Sequence, residues 1–276
     1  MTLPPGAREA RRVGGGEINE AFRVVLADGG EAFVKTREDV SPGEYAAEAA
    51  GLQWLAEPGA LRVPRVLEQD ERYLALQWVE PGRLGPGGEE ELGRGLAALH
   101  GAGAPGFGSF AGERHAWLGP LRLPNAPTED WPSFYAERRL QPLARVAGER
   151  GALSAAGWRA VERVCERIGE LAGPAEPPSR LHGDLGSGNV LADARGHPWL
   201  IDPSAYGGHR EVDLAMLALF GDATRTTAAY EELAPLAEGW QERVGLYQML
   251  PLLVHAALFG GSYVQSAERM ARRYAG

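Results

Sequence analysis

Residues 181–202, LHGDLGSGNVLADARGHPWLID, set His182, Asp184 and Asn189 in the pattern H-x-D-x-x-x-x-N and end on Asp202. Phosphoryl transfer from ATP needs these residue types in this order. One carboxylate accepts the proton of the attacking hydroxyl, while an amide oxygen and a second carboxylate hold magnesium on the phosphates. An Asp and an Asn five apart can point into one cavity from a loop. NVLA and PWLI, pairing across ADARGH, then return Asp202 beside them. Magnesium prefers hard oxygen ligands, which an Asn amide and an Asp carboxylate supply. Asp and Asn also cap turns in glycine-rich loops, and so short a motif recurs by chance. The downstream strand ending in Asp is the context that selects the phosphotransfer reading. Asp184 is then the candidate base, and Asn189 and Asp202 the candidate magnesium ligands.

A chain built around this loop needs a cation on the phosphates, and it contains a single lysine. Lys35, in EAFVKT, is the one Lys among 28 Lys+Arg. A compact ammonium and a planar guanidinium are not interchangeable where one phosphate oxygen must be reached from a buried strand. AFRVVL and EAFVK flank ADGG and read as a β-hairpin, with Lys35 on its second strand. SPGEYAAEAAGLQWLAEPG follows as a helix, with Ser41 as cap, Pro42 at the first position and Glu44 completing a capping box. Glu44 and Glu48 both compete to hold Lys35; Glu44 is occupied at the cap, which leaves Glu48. VGGGEIN precedes the hairpin, so Gly14, Gly15 and Gly16 form a candidate phosphate loop, although GGG is neither G-x-G-x-x-G nor a Walker sequence.

The remaining chain organises around these parts. RVLEQ and RYLALQWV make a second hairpin, so the first eighty residues read β-β-α-β-β. GEEELGRGLAALH is an amphipathic helix with an acidic first turn. A Gly/Pro-rich stretch from Gly101 to Pro132 reads as a long functional or mobile loop, and the rest is mainly helical. The expected architecture is α+β, with a small β-rich lobe over 1–79, a linker near Gln77 to Gly82 and a larger helical lobe over 80–276. With 276 residues and 44% hydrophobic content the chain can bury a sizeable core. Cys165 alone rules out an internal disulfide or a cysteine zinc site, and its helical spacing with Val161 and Ile168 reads as an inert thiol. The six histidines show no zinc spacing. No apolar run approaches a membrane span, the N-terminus has no signal-like apolar core, and a cytoplasmic location follows as the default. A net charge of −9 argues against a nucleic-acid partner.

GGGEINEAFRV, AAEAAGLQWL, HGDLGSGN and YGGHREVDLAMLALFG, with WPSFYAERRLQP and LFGGSY, resemble the fructosamine kinase (ketosamine-3-kinase) family over essentially the whole chain. HGDxxxxN is shared with aminoglycoside phosphotransferases and choline kinases; GHREVDLAM with LFG is more discriminating. The resemblance implies a two-lobed protein-kinase-like fold and transfer of the ATP γ-phosphate to the sugar 3-hydroxyl of a ketoamine, either a small molecule or a glycated protein lysine. It maps Asp184 to the base, Asn189 and Asp202 to magnesium and Lys35 to the phosphates. His209, Arg210 and Glu211 are expected to border the sugar pocket because they follow Asp202 closely. Asp213 and His182 are expected to brace the catalytic loop. Two departures stand out: Gly186 replaces a tryptophan common after HGDL, and Glu17 stands where some relatives carry a cysteine. Trp117 and Trp131 are either substitute stacking surfaces or minor-core anchors. The rival functions are phosphorylation of another amino-alcohol and a catalytically inactive kinase-like binding protein.

Overall fold

The computed structural model describes Pro4, residues 6–14 and residues 18–276. Its N-terminal part is a five-stranded antiparallel sheet of order β1-β2-β3-β5-β4. The strands are β1 (Glu9–Arg12), β2 (Glu20–Val25), β3 (Glu31–Thr36), β4 (Val66–Gln69) and β5 (Tyr73–Gln77), with α1 (Glu44–Ala56) between β3 and β4. The β2–β3 and β4–β5 hairpins form as the sequence suggests. The edge strand β1 does not follow from the pattern: EARR is fully exposed and has no apolar alternation to reveal it. In the central strand, Val34 and its neighbour Ala75 pack to one side with Phe22 and Val24. The period of two then turns Lys35 and Leu74 to the other side, where Leu52 and Leu55 of α1 pack. That alternation is why a lysine on this strand meets α1.

Helix α1 begins later than a Ser41 cap would place it. Gly43 is the cap residue, with φ of +86°, a conformation glycine adopts without strain. Half of the expected capping box remains: the Glu44 carboxylate accepts the Ser41 N–H at 3.3 Å. The same carboxylate also takes two bonds from the Arg37 guanidinium, at 2.7 and 3.0 Å.

After β5 the chain crosses to the second part through Pro81 and Gly82. The Gly82 N–H donates to Ala192 O at 2.8 Å, and a Cβ at Gly82 would collide with Asp193 O. Helix α2 (Pro86–Gly101) follows. The segment expected as a long loop contains a hairpin, β6 (His115–Leu118) and β7 (Leu121–Pro124), turning at Gly119 with φ of +55°. Its signal is the alternation in HAWLGPLRLP around Gly-Pro. Helix α3 (Trp131–Tyr135), a π-helical turn (Ala136–Leu140), α4 (Gln141–Glu149), α5 (Ala155–Glu166) and the short α6 (Ile168–Leu171) come next. The short strands β8 (Ser179–Leu181), β9 (Val190–Ala192), β10 (Pro198–Leu200) and β11 (Tyr206–Gly208) precede α7 (Glu211–Leu217), α8 (Thr224–Glu231), α9 (Trp240–Phe259) and α10 (Ser262–Ala275). The main helical core gathers Leu140, Leu143, Val161 and Val164 against Leu246, Leu250 and Leu253. Cys165 lies in it, 8% exposed, and burial pushes its thiol up to about 12. Among the described residues no helix is long and apolar enough to cross a membrane.

Candidate active site

The catalytic loop leaves β8 as His182, Gly183 and Asp184. Asp213, completely buried, accepts the N–H of His182 at 2.7 Å and that of Gly183 at 2.9 Å, and meets His100 Nε2 at 3.3 Å. Burial works against the Asp213 carboxylate, and its bonds from His100 and the loop outweigh this, so its pKa lies below the usual range. Burial lowers the His182 pKa and favours the neutral ring. Its Nδ1 accepts the Asp184 N–H at 3.2 Å and its Nε2 donates to Ile201 O at 2.9 Å, which fixes the tautomer. Gly183 has φ of +81°, and a Cβ there would collide with Ser204 O. Both residues expected to brace the loop do so, and Gly183 leaves no room for a side chain.

A short 3₁₀ turn over Ser187–Asn189 then brings Asn189 back to Asp184. Asn189 Nδ2 donates to Asp184 O at 2.8 Å and to its Oδ2 at 3.3 Å, leaving Asn189 Oδ1 as the free acceptor. β9 and β10 pair antiparallel, Leu200 opposite Val190, and the Ile201 N–H donates to Asn189 O at 3.1 Å. This delivers Asp202 beside Asn189. Asp202 is the only non-glycine with positive φ among the described residues, at +53°. Such a backbone, strained by about 1–3 kcal/mol, is held where its surroundings over-determine it.

Lys35 closes the site from the opposite side. Its Nζ pairs with Glu48 of α1 and lies 2.9 Å from Asp202 Oδ1. Burial pulls the ammonium pKa down, and the Asp202 and Glu48 carboxylates more than compensate, so it is raised and the charge is secure. Burial raises the Glu48 carboxyl above its ordinary range, against the pull of Lys35. The Asp202 side chain opens to the cleft, 43% exposed, and Lys35 overcomes its burial to hold its pKa below the ordinary value. Asp184 behaves differently: burial first, then the charge of Asp202, push it up to about 7 despite the bond from Asn189. A carboxyl near neutrality is matched to taking a proton from an alcohol at physiological pH.

Lys35, Glu48, Asp184, Asn189 and Asp202 line one cleft of about 220 Å³, with Ile18, Asn19, Trp117 and Asn125 among the other lining residues. Gly14 lies just past the Val13–Ala21 backbone bond of 2.9 Å and is not in that lining; Gly15 and Gly16 lie outside the described residues. Trp117 reaches the cleft from β6, whereas Trp131 is buried and donates to Tyr247 OH at 3.1 Å, a core anchor. Asn125, also in the lining, was not signalled by any catalytic motif; a lone Asn in LPNAP is its only mark.

His209, Arg210 and Glu211 do not border the cleft, contrary to the sequence expectation. β11 pairs antiparallel with β8, Tyr206 opposite Leu181 and Gly208 opposite Ser179, so the chain runs away from the catalytic loop. His209 stacks on Tyr247 at 5.4 Å. Arg210 forks onto Glu176 at 2.7 and 2.8 Å, and Glu211 takes an equivalent fork from Arg243 at 2.7 and 2.9 Å. His209 and Glu211 tie the start of α7 to α9, and Arg210 ties it to the loop that precedes β8. Among the described residues no group of three or more His, Cys, Asp and Glu is arranged to hold a metal ion.

A five-stranded sheet carrying one helix, stacked on a helical body with this cleft between them, defines a two-lobed α+β protein of the protein-kinase-like class. A choline kinase from Streptococcus pneumoniae shares that fold, with a TM-score of 0.66 at 15% identity over 98% of this chain and 94% of the other. The chain belongs to the fructosamine kinase family, whose pattern it matches over residues 4–275, and it is a phosphotransferase. A crystal structure of a "putative fructosamine-3-kinase" from Thermobifida fusca superposes with a TM-score of 0.89 at 45% identity, covering 98% of this chain and 93% of that one. A "Probable ketoamine kinase" from Thermus thermophilus is 42% identical over 91% of this chain and 88% of its own. A chloroplastic protein-ribulosamine 3-kinase from Arabidopsis thaliana is 33% identical over 92% and 79% respectively. Membership of a kinase family carries with it the use of a nucleotide.

Proposed function

We propose that this protein is an ATP-dependent ketoamine kinase that phosphorylates the sugar 3-hydroxyl of fructosamine- or ribulosamine-type adducts. The observation that carries the reading is the meeting of Lys35 and Glu48 with Asp184, Asn189 and Asp202 in one cleft of a fructosamine kinase family chain. Residues 1–79 form the nucleotide-binding lobe, and residues 80–276 supply the base, the metal ligands and the acceptor site. Lys35, fixed by Glu48, neutralises the non-transferred phosphates. Asp184 orients the sugar hydroxyl and takes its proton as the new oxygen–phosphorus bond forms and the bond to the ADP oxygen breaks. Such catalysis is mainly positioning and preorganised charge. The glycines ahead of β2 would cover the phosphates.

Asn189 Oδ1 and the Asp202 carboxylate fit magnesium. Both are hard oxygen donors, and the bond from Asn189 Nδ2 to Asp184 O turns the amide oxygen outward. An incomplete protein set suits a cation that keeps waters and phosphate oxygens. Asn189 and Asp202 would hold the ion, which would supply positive charge to offset the charge that builds on the transferring phosphate. The substrate is a free ketoamine or a glycated lysine of a protein, met in the cytoplasm where ATP is at hand. Phosphorylation at that position makes the adduct labile and releases the amine.

The test is incubation with ATP, magnesium and a panel of ketoamines, aminoglycosides and choline, followed by phosphorus NMR. A phosphomonoester signal formed with fructosyl- or ribulosyl-lysine is expected. Rapid turnover of the amino-alcohols with none of the ketoamines refutes the proposal.

A further inference from the structure

The acceptor side of the cleft holds a polar group for which phosphate transfer itself has no task. Asn125, just after β7, is 1% exposed and lines the cleft together with Asp184 and Asn189. Its backbone is tied on both sides, the N–H donating to Arg114 O and the carbonyl accepting from Ser109 N–H, each at 2.9 Å. Its Oδ1 accepts from Nη2 of Arg139 at 2.9 Å. A guanidinium has only donors, so chemistry decides the orientation of the amide. Oδ1 faces Arg139, and Nδ2, with two N–H groups and no protein partner among the described residues, is left for the cleft.

Arg139 is the unusual member of the pair. It is 1% exposed and has no carboxylate within ion-pair distance among the described residues. Its guanidinium lies against the rings of Phe134 and Tyr206, 4.5 and 4.2 Å from their centroids. Nη1 donates to the carbonyls of Pro124 at 2.8 Å and Arg138 at 3.0 Å. The Arg138 carbonyl is available because Pro142, four residues on, has no N–H. The helix widens here into a π turn, with the Gln141 N–H reaching Ala136 O. Turns of this kind recur at functional sites.

Burying a cation without a counter-ion is unfavourable, and a neutral donor would have held Asn125 equally well. What the charge adds is polarisation: a cation on Oδ1 strengthens the amide N–H groups as donors. The Tyr206 ring that supports Arg139 also packs on Gly183, the residue before Asp184. One stack therefore connects the catalytic loop to Arg139 and Asn125.

We propose that Asn125, aimed and polarised by Arg139, is the substrate-positioning donor of the acceptor site, its Nδ2 hydrogen-bonding an acceptor-sugar oxygen next to the hydroxyl that Asp184 deprotonates. The inference rests on the ketoamine kinase reading of this cleft. An open-chain ketoamine has a carbonyl beside that hydroxyl, a group that only accepts. The carboxylates of Asp184 and Asp202 also only accept, so neither can serve it. Asn125 supplies the missing donor, and Arg139 acts through it as a positioning residue.

Asn125→Asp separates this role from a structural one, since it keeps the oxygen that Arg139 binds, gives Arg139 a counter-charge and replaces the cleft-facing amide by an oxygen that cannot donate. The variant is expected to fold with unimpaired thermal stability and to bind magnesium-ATP normally by calorimetry. Its kcat/KM for the ketoamine falls by about 100-fold or more, the scale of losing one preorganised donor. Arg139→Gln, which retains a neutral donor, is expected to show a smaller loss confined to the acceptor KM and kcat. A ketoamine kcat/KM for Asn125→Asp within about threefold of wild type overturns the proposal, as does a parallel loss of ATP affinity. Wild-type enzyme is assayed first against ketoamines and amino-alcohols. A preference for amino-alcohols refutes the ketoamine reading alone; the variant is then measured on that alcohol, where the large loss still supports Asn125 and its absence refutes it.

Discussion

Replacing Asp184 by Asn should abolish turnover and at the same time make the protein more stable, by an amount that grows with pH. Burial and the charge of Asp202 push the folded-state carboxyl up to about 7 from an ordinary value of 3.8. Well below that ordinary value both folded and unfolded chains carry the proton, and the residue is neutral to stability. As pH rises towards 7 the unfolded chain releases the proton while the folded chain retains it, so folding weakens. Above about 7 the folded chain carries a carboxylate that burial and Asp202 disfavour, and the whole penalty is present. The distance from 3.8 to about 7 sets a ceiling of about 4 kcal/mol, of which a solvent-facing cleft leaves about 1–2 kcal/mol. Asn preserves the shape and can still accept the bond from Asn189. Urea unfolding of both proteins at pH 5 and pH 8 measures the difference. The gain at pH 8 should raise Tm by about 2–4 °C, and the gain at pH 5 should be smaller. A variant no more stable than wild type at pH 8, or a gain equal at both pH values, refutes the reasoning. Wild-type kcat/KM should correspondingly fall as pH drops through about 7, where the base acquires its proton.

Lys35→Arg should lower kcat/KM for ATP by about 100-fold, because a planar fork cannot occupy the buried space between Glu48 and Asp202; steady-state kinetics with unchanged activity would count against it. Gly183→Ala should destabilise the protein by about 2–3 kcal/mol and disrupt the loop, since positive φ and the Ser204 carbonyl both exclude a side chain; the urea midpoint reads this. Gly186→Trp should be accommodated, since φ of −75° and ψ of 159° suit any residue and the nearest atom to a new Cβ is the Met216 methyl at 3.5 Å. Its Tm should stay within about 2 °C of wild type, and its kinetic effect should fall on the acceptor rather than on ATP.

The catalytic loop was legible because its geometry is local. The spacing of Asp184 and Asn189 and the hairpin that returns Asp202 are all encoded within twenty-two residues, positions 181–202. The Lys35–Glu48 pair was legible because strand alternation and helical spacing each say which way a side chain points. The placement of His209, Arg210 and Glu211 was not, since it depends on which strand β11 pairs with and in which direction. Nothing in YGGHRE encodes the partnership with Ser179–Leu181. The hairpin carrying Trp117 was hidden by its glycines and prolines, although its alternation was present. Asn125 was invisible for a further reason: its significance comes from an arginine fourteen residues away, on a π turn that local propensity does not announce.

The burial of Lys35 has one more consequence. Sugars condense with accessible ε-amines, and this chain has one ε-amine, 5% exposed and already engaged by two carboxylates. Its other long-chain cations are guanidinium groups, which do not form the same aldose adduct. A protein proposed to clear such damage from its neighbours therefore offers almost no lysine target of its own. Prolonged exposure to ribose should leave its side-chain amine unmodified under conditions that decorate an ordinary lysine-rich enzyme many times over.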